Sequence, residues 1–480
     1  MIARQLGRLA KHSAIYGLGA VVARLIGVFL LPIVTRYLPD PRRDLGAIET
    51  LLALAIVLVT VLRAGISMAF FRFYFDAEDE RGRTTVVRTC FWYTMAAATA
   101  GLVVGFLLAE PISNALFSTG SRAGLVRAAF VVLWAQMNYE QLTSLFRVEE
   151  RSIAYVAATL ANVIITVTAT ILLVAVWNRG ATGVLVGNAS GTLAVYFVLL
   201  AYRRFQLGLE FDRELFRKMQ HFGLPLVPSG LALWAIDFAD RFFLVRIKGT
   251  AEVGLYSVGV RVSTAILLLM IALRTAWPAF AYSIKDDNEA KRTYGFVLTY
   301  VLYISCWMSL ALSLLAPWIV RLLTVPSFYS ASRVVPLLVF GGTAYIAFNV
   351  MSIGIGRARR TQFNWVVTGF AALVNVGLNF ALIPPYGMMG AATATLVAYT
   401  IMFLGMTVRA QQVFPVPYQW RRIAIAVGAA VGLTALGKAL HVPLAGALAL
   451  SAVYPLILLP LGFYLPVELR RLRALVTAAR

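Results

Sequence analysis

Long apolar stretches separated by short polar segments recur along the whole chain of 480 residues. Most are about 20 residues long, the length at which an α-helix crosses the hydrocarbon core of a bilayer. A helix satisfies its backbone hydrogen bonds internally, so it is the element that such stretches form in a membrane. The pattern therefore predicts an all-α, polytopic integral membrane protein. About fourteen spans are predicted, at 13–38, 46–70, 86–109, 123–146, 153–176, 183–203, 222–246, 252–279, 293–316, 332–354, 363–383, 388–409, 423–440 and 443–464.

Parts of this pattern occur twice, in the same order. Segment 44–47, with the sequence DLGA, opens the second span, and segment 252–255, EVGL, opens the eighth, 208 residues later. Segments 180–184, GATGV, and 387–391, GMMGA, are related in the same way at an offset of 207. We infer an internal duplication of six spans. Because six is an even number, both copies enter the membrane in the same sense and are related by a pseudo-two-fold axis along the membrane normal.

The duplication predicts the domain organisation. Residues 1–208 form an N-terminal lobe of spans one to six, and residues 209–415 form a second six-helix lobe that starts with a cytoplasmic linker. Residues 416–480 add a helix pair that has no counterpart in the repeat, followed by a basic cytoplasmic tail. Within the linker, 204–221 is expected to be either a short helix lying in the membrane interface or a solvated segment with some helix.

The composition agrees with a membrane protein and limits its activity. Hydrophobic residues make up 60% of the chain and charged residues 13%, whereas soluble domains average about 45–50% and about 25%. The first apolar run is too long for the core of a cleavable signal and is expected to stay as the first span. The loops are short, and the motifs of phosphate-binding loops, zinc proteases and serine hydrolases are absent. We expect a transporter rather than an enzyme, with no cofactor, and the two cysteines and three histidines indicate no metal site.

The net charge of +22 would indicate nucleic-acid binding in a soluble protein. The lysines and arginines, however, are concentrated in alternate loops and at both ends of the chain. By the positive-inside rule, both termini are cytoplasmic. We therefore expect no nucleic-acid partner, and we expect the basic segments to contact anionic membrane lipids.

Ionisable side chains inside the spans cost about 2.5–3.5 kcal/mol each, so each needs a partner, a water-filled cavity or a function. Arg24 lies near the middle of the first span, and Arg261 lies about ten residues into the eighth. Arg63 is in the cytoplasmic half of the second span. These three arginines are candidates for a cationic cavity that binds a phosphate-bearing ligand, although a structural role for Arg63 is an equal alternative.

The seventh span holds a second group of charges. Asp237 and Arg241 are four residues apart and can pair on one helix face, while Asp240 lies beside them. The group is either a structural ion pair or a site of substrate binding or ion coupling. Near the start of the same span, Pro228 and Gly230 are hinge candidates, because proline lacks an amide donor and glycine favours helix poorly. The alternative is a helix entrance that tolerates proline.

Several segments carry a family resemblance when they are taken together. They are 222–225 (FGLP), 240–244 (DRFFL), 252–257 (EVGLYS) and 383–387 (IPPYG). Their order and spacing resemble those of the polysaccharide biosynthesis flippases, which belong to the multidrug/oligosaccharidyl-lipid/polysaccharide exporter superfamily. The resemblance covers nearly the whole chain.

This resemblance implies two six-helix lobes around a central cavity, with two further helices that help a lipid tail to engage. It implies a flippase of the bacterial cytoplasmic (inner) membrane that translocates an undecaprenyl-pyrophosphate-linked oligosaccharide by alternating access, for cell-surface polysaccharide biosynthesis. The expected partners are the lipid-linked glycan, membrane lipids and polysaccharide-assembly proteins, and the expected state is a monomer.

Two other functions compete with this interpretation. A drug or cation antiporter of the same superfamily needs buried carboxylates, but the first span offers Arg24 and no acid. A membrane-bound sugar polymerase or ligase is expected to present a large outer loop for sugar transfer, but the outer loops are short.

Overall fold

The computed structural model of the chain describes residues 27–358 and 362–470. Regular structure in these residues is helical, without a strand, which confirms the all-α polytopic fold. The α-helices of the described residues are α1 (Leu31–Tyr37), α2 (Pro41–Arg63), α3 (Ile66–Asp76), α4 (Glu80–Leu107), α5 (Ala109–Phe117), α6 (Ala123–Val148), α7 (Ser152–Ile171), α8 (Gly180–Arg203), α9 (Arg213–Gly223), α10 (Val227–Ile247), α11 (Thr250–Ser263), α12 (Ile266–Ser283), α13 (Asp287–Leu323), α14 (Val335–Arg357), α15 (Gln362–Tyr386), α16 (Met388–Val413), α17 (Trp420–Ala439) and α18 (Leu444–Ile457).

Shorter irregular helices join some of these elements. 3₁₀ turns occupy Gly120–Arg122, Leu224–Leu226 and Pro326–Arg333, and a π-helical turn at Leu172–Val176 extends α7. Ten helical stretches in the described part of the chain are long and apolar enough to cross a membrane, and two shorter apolar ones accompany them. Helix α6 has the length to cross a membrane but carries the polar segment 136–141.

Two predicted spans are interrupted, so their prediction as continuous helices is wrong. The run 46–70 breaks after Arg63, where Ala64 and Gly65 adopt left-handed backbone conformations with φ of 45° and 77°. The run 252–279 breaks after Ser263. There the hydroxyls of Ser263 and Thr264 donate to carbonyls four residues earlier, a bond that competes with the helical ladder.

The described residues form two compact units. The first comprises the residues up to Val258 together with Leu323–Phe328 and Ala372–Ala394. Its core cluster joins α3, α4, α6, α7, α8 and α9 around aromatic and aliphatic side chains that are almost fully buried, among them Phe70, Phe91, Leu142 and Tyr196. The division into two six-helix lobes stays a prediction from the repeat.

Helix α9 lies in the linker that joins the predicted lobes. Asp212 caps it by accepting hydrogen bonds from the backbone amides of Glu214 and Leu215. Met219 is fully buried in the core of the first unit, and the ring of Phe216 lies 4.8 Å from that of Tyr93. The part of the linker from residue 213 onward is therefore a helix, and its apolar side packs on the protein.

The second unit comprises Gly259–Leu322, Tyr329–Ala371 and the described residues from Thr395 onward. One of its core clusters joins α13 to α17 and α18, the predicted C-terminal helix pair. Tyr303 of α13 stacks on Tyr454 and on Phe463, with ring centroids 5.9 and 5.3 Å apart. Buried Arg422 bonds Glu468 at 2.9 Å. The helix pair is thus attached to its unit by aromatic stacking and a partly buried ion pair.

Candidate functional site

One face of α2 packs against α10 and the start of α11, and Gly65 just after α2 packs against the end of α9. We call this contact the α2 seam. The α2 side of the seam is formed by residues seven positions apart, which lie on one helix face: Gly46, Ala53 and Thr60. Gly65 follows just after the helix. The seam lies within the first unit. The residues that face it are Gly223, Gly230, Trp234, Thr250 and Gly254.

The beginning of the α2 seam is a backbone contact between α2 and α11, which belong to different copies of the predicted repeat. A Cβ added to Gly46 would lie 1.7 Å from the carbonyl oxygen of Thr250, and one added to Gly254 would lie 2.1 Å from that of Arg42. Positions 42 and 46 are the repeat counterparts of 250 and 254, at the offset of 208. The contact is therefore reciprocal, as it is between equivalent surfaces across a two-fold axis.

The other end of the α2 seam is also a contact between glycines. A Cβ on Gly65 would lie 2.0 Å from the carbonyl oxygen of Gly223, and one on Gly223 would lie 2.6 Å from that of Gly65. Gly65 has a φ of 77°, which glycine adopts without steric cost. A side chain at either position would separate the two backbones.

Between these ends, the seam is held by one hydrogen bond and by close packing. The indole Nε1 of Trp234 donates to the carbonyl of Ala53 at 3.0 Å. A Cβ on Gly230 would lie 3.3 Å from the Cγ2 of Thr60, so Gly230 faces α2. Pro228 is in the first turn of α10, directly after the 3₁₀ turn Leu224–Leu226, where its missing amide leaves no bond unmade. The role of Pro228 and Gly230 as a hinge stays a prediction.

A buried charged network joins α10 to α11. Arg241 Nη1 donates to Asp240 Oδ1 at 3.0 Å and to the carbonyl oxygen of Asp237 at 2.8 Å. The Asp240 and Arg241 residues are 1% and 4% exposed. Tyr256 of α11 donates its hydroxyl to the second oxygen of Asp240. The ion pair that the structure records for Arg241 is thus with its neighbour Asp240, and the expected partner Asp237 contributes its backbone carbonyl.

Further carboxylates act on the same arginine. Asp237 and Arg241 follow Gly230 and Trp234 at helical spacing, so they share the face of α10 that meets α2. Glu49 of α2 and Asp237 both lie close enough to interact electrostatically with Arg241. Three acids therefore surround one arginine. This network therefore holds more acidic than basic side chains among the described residues.

Arg63, the second expected cavity arginine, is part of an ion pair. Its Nη1 lies 2.6 Å from Glu140 Oε2 of α6, and its Nη2 donates to the carbonyl of Met137 at 3.2 Å. Gln136 also donates to Glu140. The Arg63 side chain is 16% exposed and that of Glu140 is 41% exposed. The pair fastens the end of α2 to the polar segment of α6, and its acid is the more accessible partner.

The two other expected cavity arginines are Arg261 and Arg24. Arg261 is half-buried in the last turn of α11 and belongs to the second unit, whereas Arg63 belongs to the first. Arg24 lies outside the described residues. Their binding of a phosphate-bearing ligand stays a prediction. In the described residues, no group of histidine, cysteine and acidic side chains is placed to hold a metal ion.

Comparison with known proteins places the chain in a family. The family model described as "Polysaccharide biosynthesis protein" matches residues 33–333. An uncharacterised membrane protein of Haemophilus influenzae is 23% identical over 293 residues, 59% of this chain and 67% of that protein.

Two solved structures share the fold. The lipid II flippase MurJ in an inward closed conformation has a TM-score of 0.73 at 14% identity, covering 92% of this chain and 98% of that one. An inward-facing multidrug resistance MATE family transporter of the MOP superfamily has a TM-score of 0.65 at 14% identity, covering 82% and 95%. At these identities, the likeness shows the fold. Because the family match extends over more than half of the chain, this protein belongs to the polysaccharide biosynthesis protein family and has the fold of the multidrug/oligosaccharidyl-lipid/polysaccharide exporters.

Proposed function

We propose that this protein is a flippase that moves an undecaprenyl-pyrophosphate-linked oligosaccharide across the bacterial cytoplasmic membrane by alternating access. Its family and its structural likeness to a lipid II flippase support a flippase-type transporter. The observation that carries the mechanism is the α2 seam, which is closed by glycine contacts at both ends. A transporter of this kind opens one end while the other stays closed.

The chemistry of the α2 seam suits repeated opening. Contacts between glycines bury little side-chain area, so separating them forfeits less hydrophobic free energy than separating packed leucines. The Trp234 hydrogen bond to Ala53 holds the middle of the seam. The Asp240–Arg241–Tyr256 network ties α10 to α11, so these two helices move together when α2 separates from them.

The proposed ligand needs cations for its pyrophosphate, and we assign that role to Arg24, Arg63 and Arg261. Arginine presents a planar fork of donors that matches phosphate oxygens. Arg63 would exchange Glu140 for a phosphate oxygen when the ligand enters, since Glu140 is the more exposed partner.

A reconstituted transport assay tests the proposal. Purified protein is placed in vesicles that contain a fluorescent undecaprenyl-pyrophosphate oligosaccharide, and an impermeant enzyme that cleaves the exposed pyrophosphate reports the leaflet. We expect the protein to speed equilibration between the leaflets. Gly428→Ala serves as a control, because no heavy atom lies within 4 Å of an added Cβ there. Transport no faster than in empty vesicles would refute the proposal.

A cation antiporter remains the second candidate, because one structural feature favours it. Glu49, Asp237 and Asp240 surround Arg241, and acidic groups of this kind bind cationic drugs and exchange protons. The same vesicles, loaded with a cationic dye and given a proton gradient, separate the two functions. Dye movement without pyrophosphate-lipid movement would assign the protein to the antiporters.

A further inference from the structure

A second feature of the first unit has no part in the α2 seam. Helices α7 and α8 enclose a groove of about 510 Å³ that is open on one side. Its lining is almost wholly apolar, and one polar end is formed by Arg151 and Tyr202. The α7 wall is a stripe of alanines at helical spacing: Ala154, Ala157, Ala158 and Ala161.

The groove exists because the packing of these two helices changes along their length. Away from Arg151, α8 approaches α7 through glycines: a Cβ on Gly187 would lie 2.3 Å from Thr170 Oγ1, and one on Gly191 would lie 2.1 Å from Thr166 Oγ1. Further along α8, larger residues such as Val195 replace glycine on the same face. They hold the helices apart, and alanine side chains are too short to fill the space.

The polar end of the groove carries positive charge. Arg203 is buried and bonds both oxygens of Glu149, at 2.5 and 2.6 Å. Glu149 is therefore committed to Arg203 and lies 3.9 Å from Arg151. The guanidinium of Arg151 accordingly stays about half exposed, with its Nη1 bonded to the Tyr202 hydroxyl at 3.0 Å.

The charges around this end leave it net basic. Arg147 and Arg204 lie on the same end of the helices, as does the acid Glu150. This end therefore carries four arginines and two glutamates, and one arginine and one glutamate of this set, Arg203 and Glu149, form an ion pair with each other. An anionic headgroup is the complementary ligand for such an end of a span.

We propose that this groove binds one acyl chain of an anionic phospholipid whose phosphate contacts Arg151. The groove of about 510 Å³ has room for a fatty acyl chain, and its apolar wall of alanines suits the methylene groups of that chain. Its basic end suits the phosphate of the same lipid. The proposal does not depend on which substrate the protein transports.

Lipid retention tests the proposal. The full-length protein is equilibrated in bilayers of equal phosphatidylglycerol and phosphatidylcholine with identical chains and a small fraction of undecaprenyl phosphate, then extracted, and the retained lipids are counted by native mass spectrometry. We expect about five-fold enrichment of phosphatidylglycerol, which is the effect of one arginine near an anionic headgroup. Ala157→Leu should abolish retention. Its matched control is Ala424→Leu, an exposed alanine on α17, which should leave retention unchanged.

A second variant keeps the test decisive if Ala157→Leu fails to fold. Arg151→Gln should abolish the preference for phosphatidylglycerol over phosphatidylcholine, while Arg321→Gln, at an exposed arginine of the second unit, should retain it. Equal retention of the two phospholipids by the unaltered protein would overturn the proposal. The proposal would also be overturned if the protein retained undecaprenyl phosphate in place of the phospholipid and Ala157→Leu abolished that retention.

Discussion

Gly46 and Gly254 each pack against the carbonyl oxygen that lies four residues before the other, and they are 208 positions apart. The two contacts are equivalent, because Arg42 and Thr250 are counterparts in the predicted repeat, and so are the two glycines. A contact between equivalents is what the predicted repeat would place on its two-fold axis. Any movement that parts α2 from α11 at this point must break both halves of the contact together.

The first prediction concerns the close approach at this axis. Gly46→Ala places a Cβ 1.7 Å from a backbone carbonyl, which cannot move aside as a flexible side chain can. We expect transport to fall at least ten-fold and unfolding stability to fall by about 1–3 kcal/mol, the cost of overpacking. Rates in vesicles and thermal melting measure the two effects.

A matched glycine provides the control for this prediction. Gly428→Ala lies in α17, where an added Cβ meets no atom within 4 Å, and should match the unaltered protein in both assays. Unimpaired transport by Gly46→Ala would show that the closed contact is not a state the transporter needs.

The second prediction concerns the buried network of α10 and α11. Asp240→Asn removes the negative charge beside buried Arg241, so we expect destabilisation of about 3–5 kcal/mol. Tyr256→Phe removes one hydrogen bond to a charged group and should cost about 1.5–3 kcal/mol. Chemical denaturation in detergent measures both. The double variant Asp240→Leu, Arg241→Leu should be less destabilised than Asp240→Asn, because it removes both members of the buried ion pair together.

An alternative outcome distinguishes a structural network from a coupling site. Should Asp240→Asn melt like the unaltered protein while its transport loses all dependence on an ion gradient, Asp240 would be a coupling residue rather than a structural one.

The third prediction concerns the proposed pyrophosphate ligands. Arg24→Ala and Arg261→Ala should abolish glycan export while the amount of protein in the membrane stays normal. Arg63→Ala should lower export more than Glu140→Gln. We assign the contact with the ligand to Arg63, whereas Glu140 is its partner only while no ligand is bound. Export in a deletion strain, with immunoblots of membranes, provides the measurement, and Arg204→Ala is the control. Normal export by the Arg24 and Arg261 variants would remove these residues from the proposed cavity.

The fold class follows from the sequence because hydrophobicity and length together leave helices as the element that spans a membrane. The repeat also pointed to Gly46 and Gly254 as markers, yet not to their contact. Two positions 208 apart are brought together only by tertiary packing, which no local pattern encodes. The break at Ala64 and Gly65 was missed for a related reason, since the apolar pattern continues through it while the backbone turns.

The candidate site was predictable in part. Charged residues in apolar runs mark sites that need partners, and on this ground the sequence selects Arg63, Asp240 and Arg241. Their partners depend on how neighbouring helices are rotated and staggered. The sequence therefore indicates neither the bond of Tyr256 to Asp240 nor the pairing of Glu140 with Arg63. The available signal for Tyr256 was its position in the sequence, four residues after Glu252 in a segment that belongs to the predicted repeat.

The most direct test of the central claim asks whether the α2 seam must open for transport. Thr60 and Gly230 are close enough for cysteines at both positions to form a disulfide, since an added Cβ on Gly230 lies 3.3 Å from the Thr60 side chain. In vesicles containing the Thr60→Cys, Gly230→Cys protein, we expect oxidant to stop movement of the pyrophosphate lipid and reductant to restore it. Oxidant should not change the transport rate of either single-cysteine variant. Undiminished transport by the fully cross-linked protein would contradict the account.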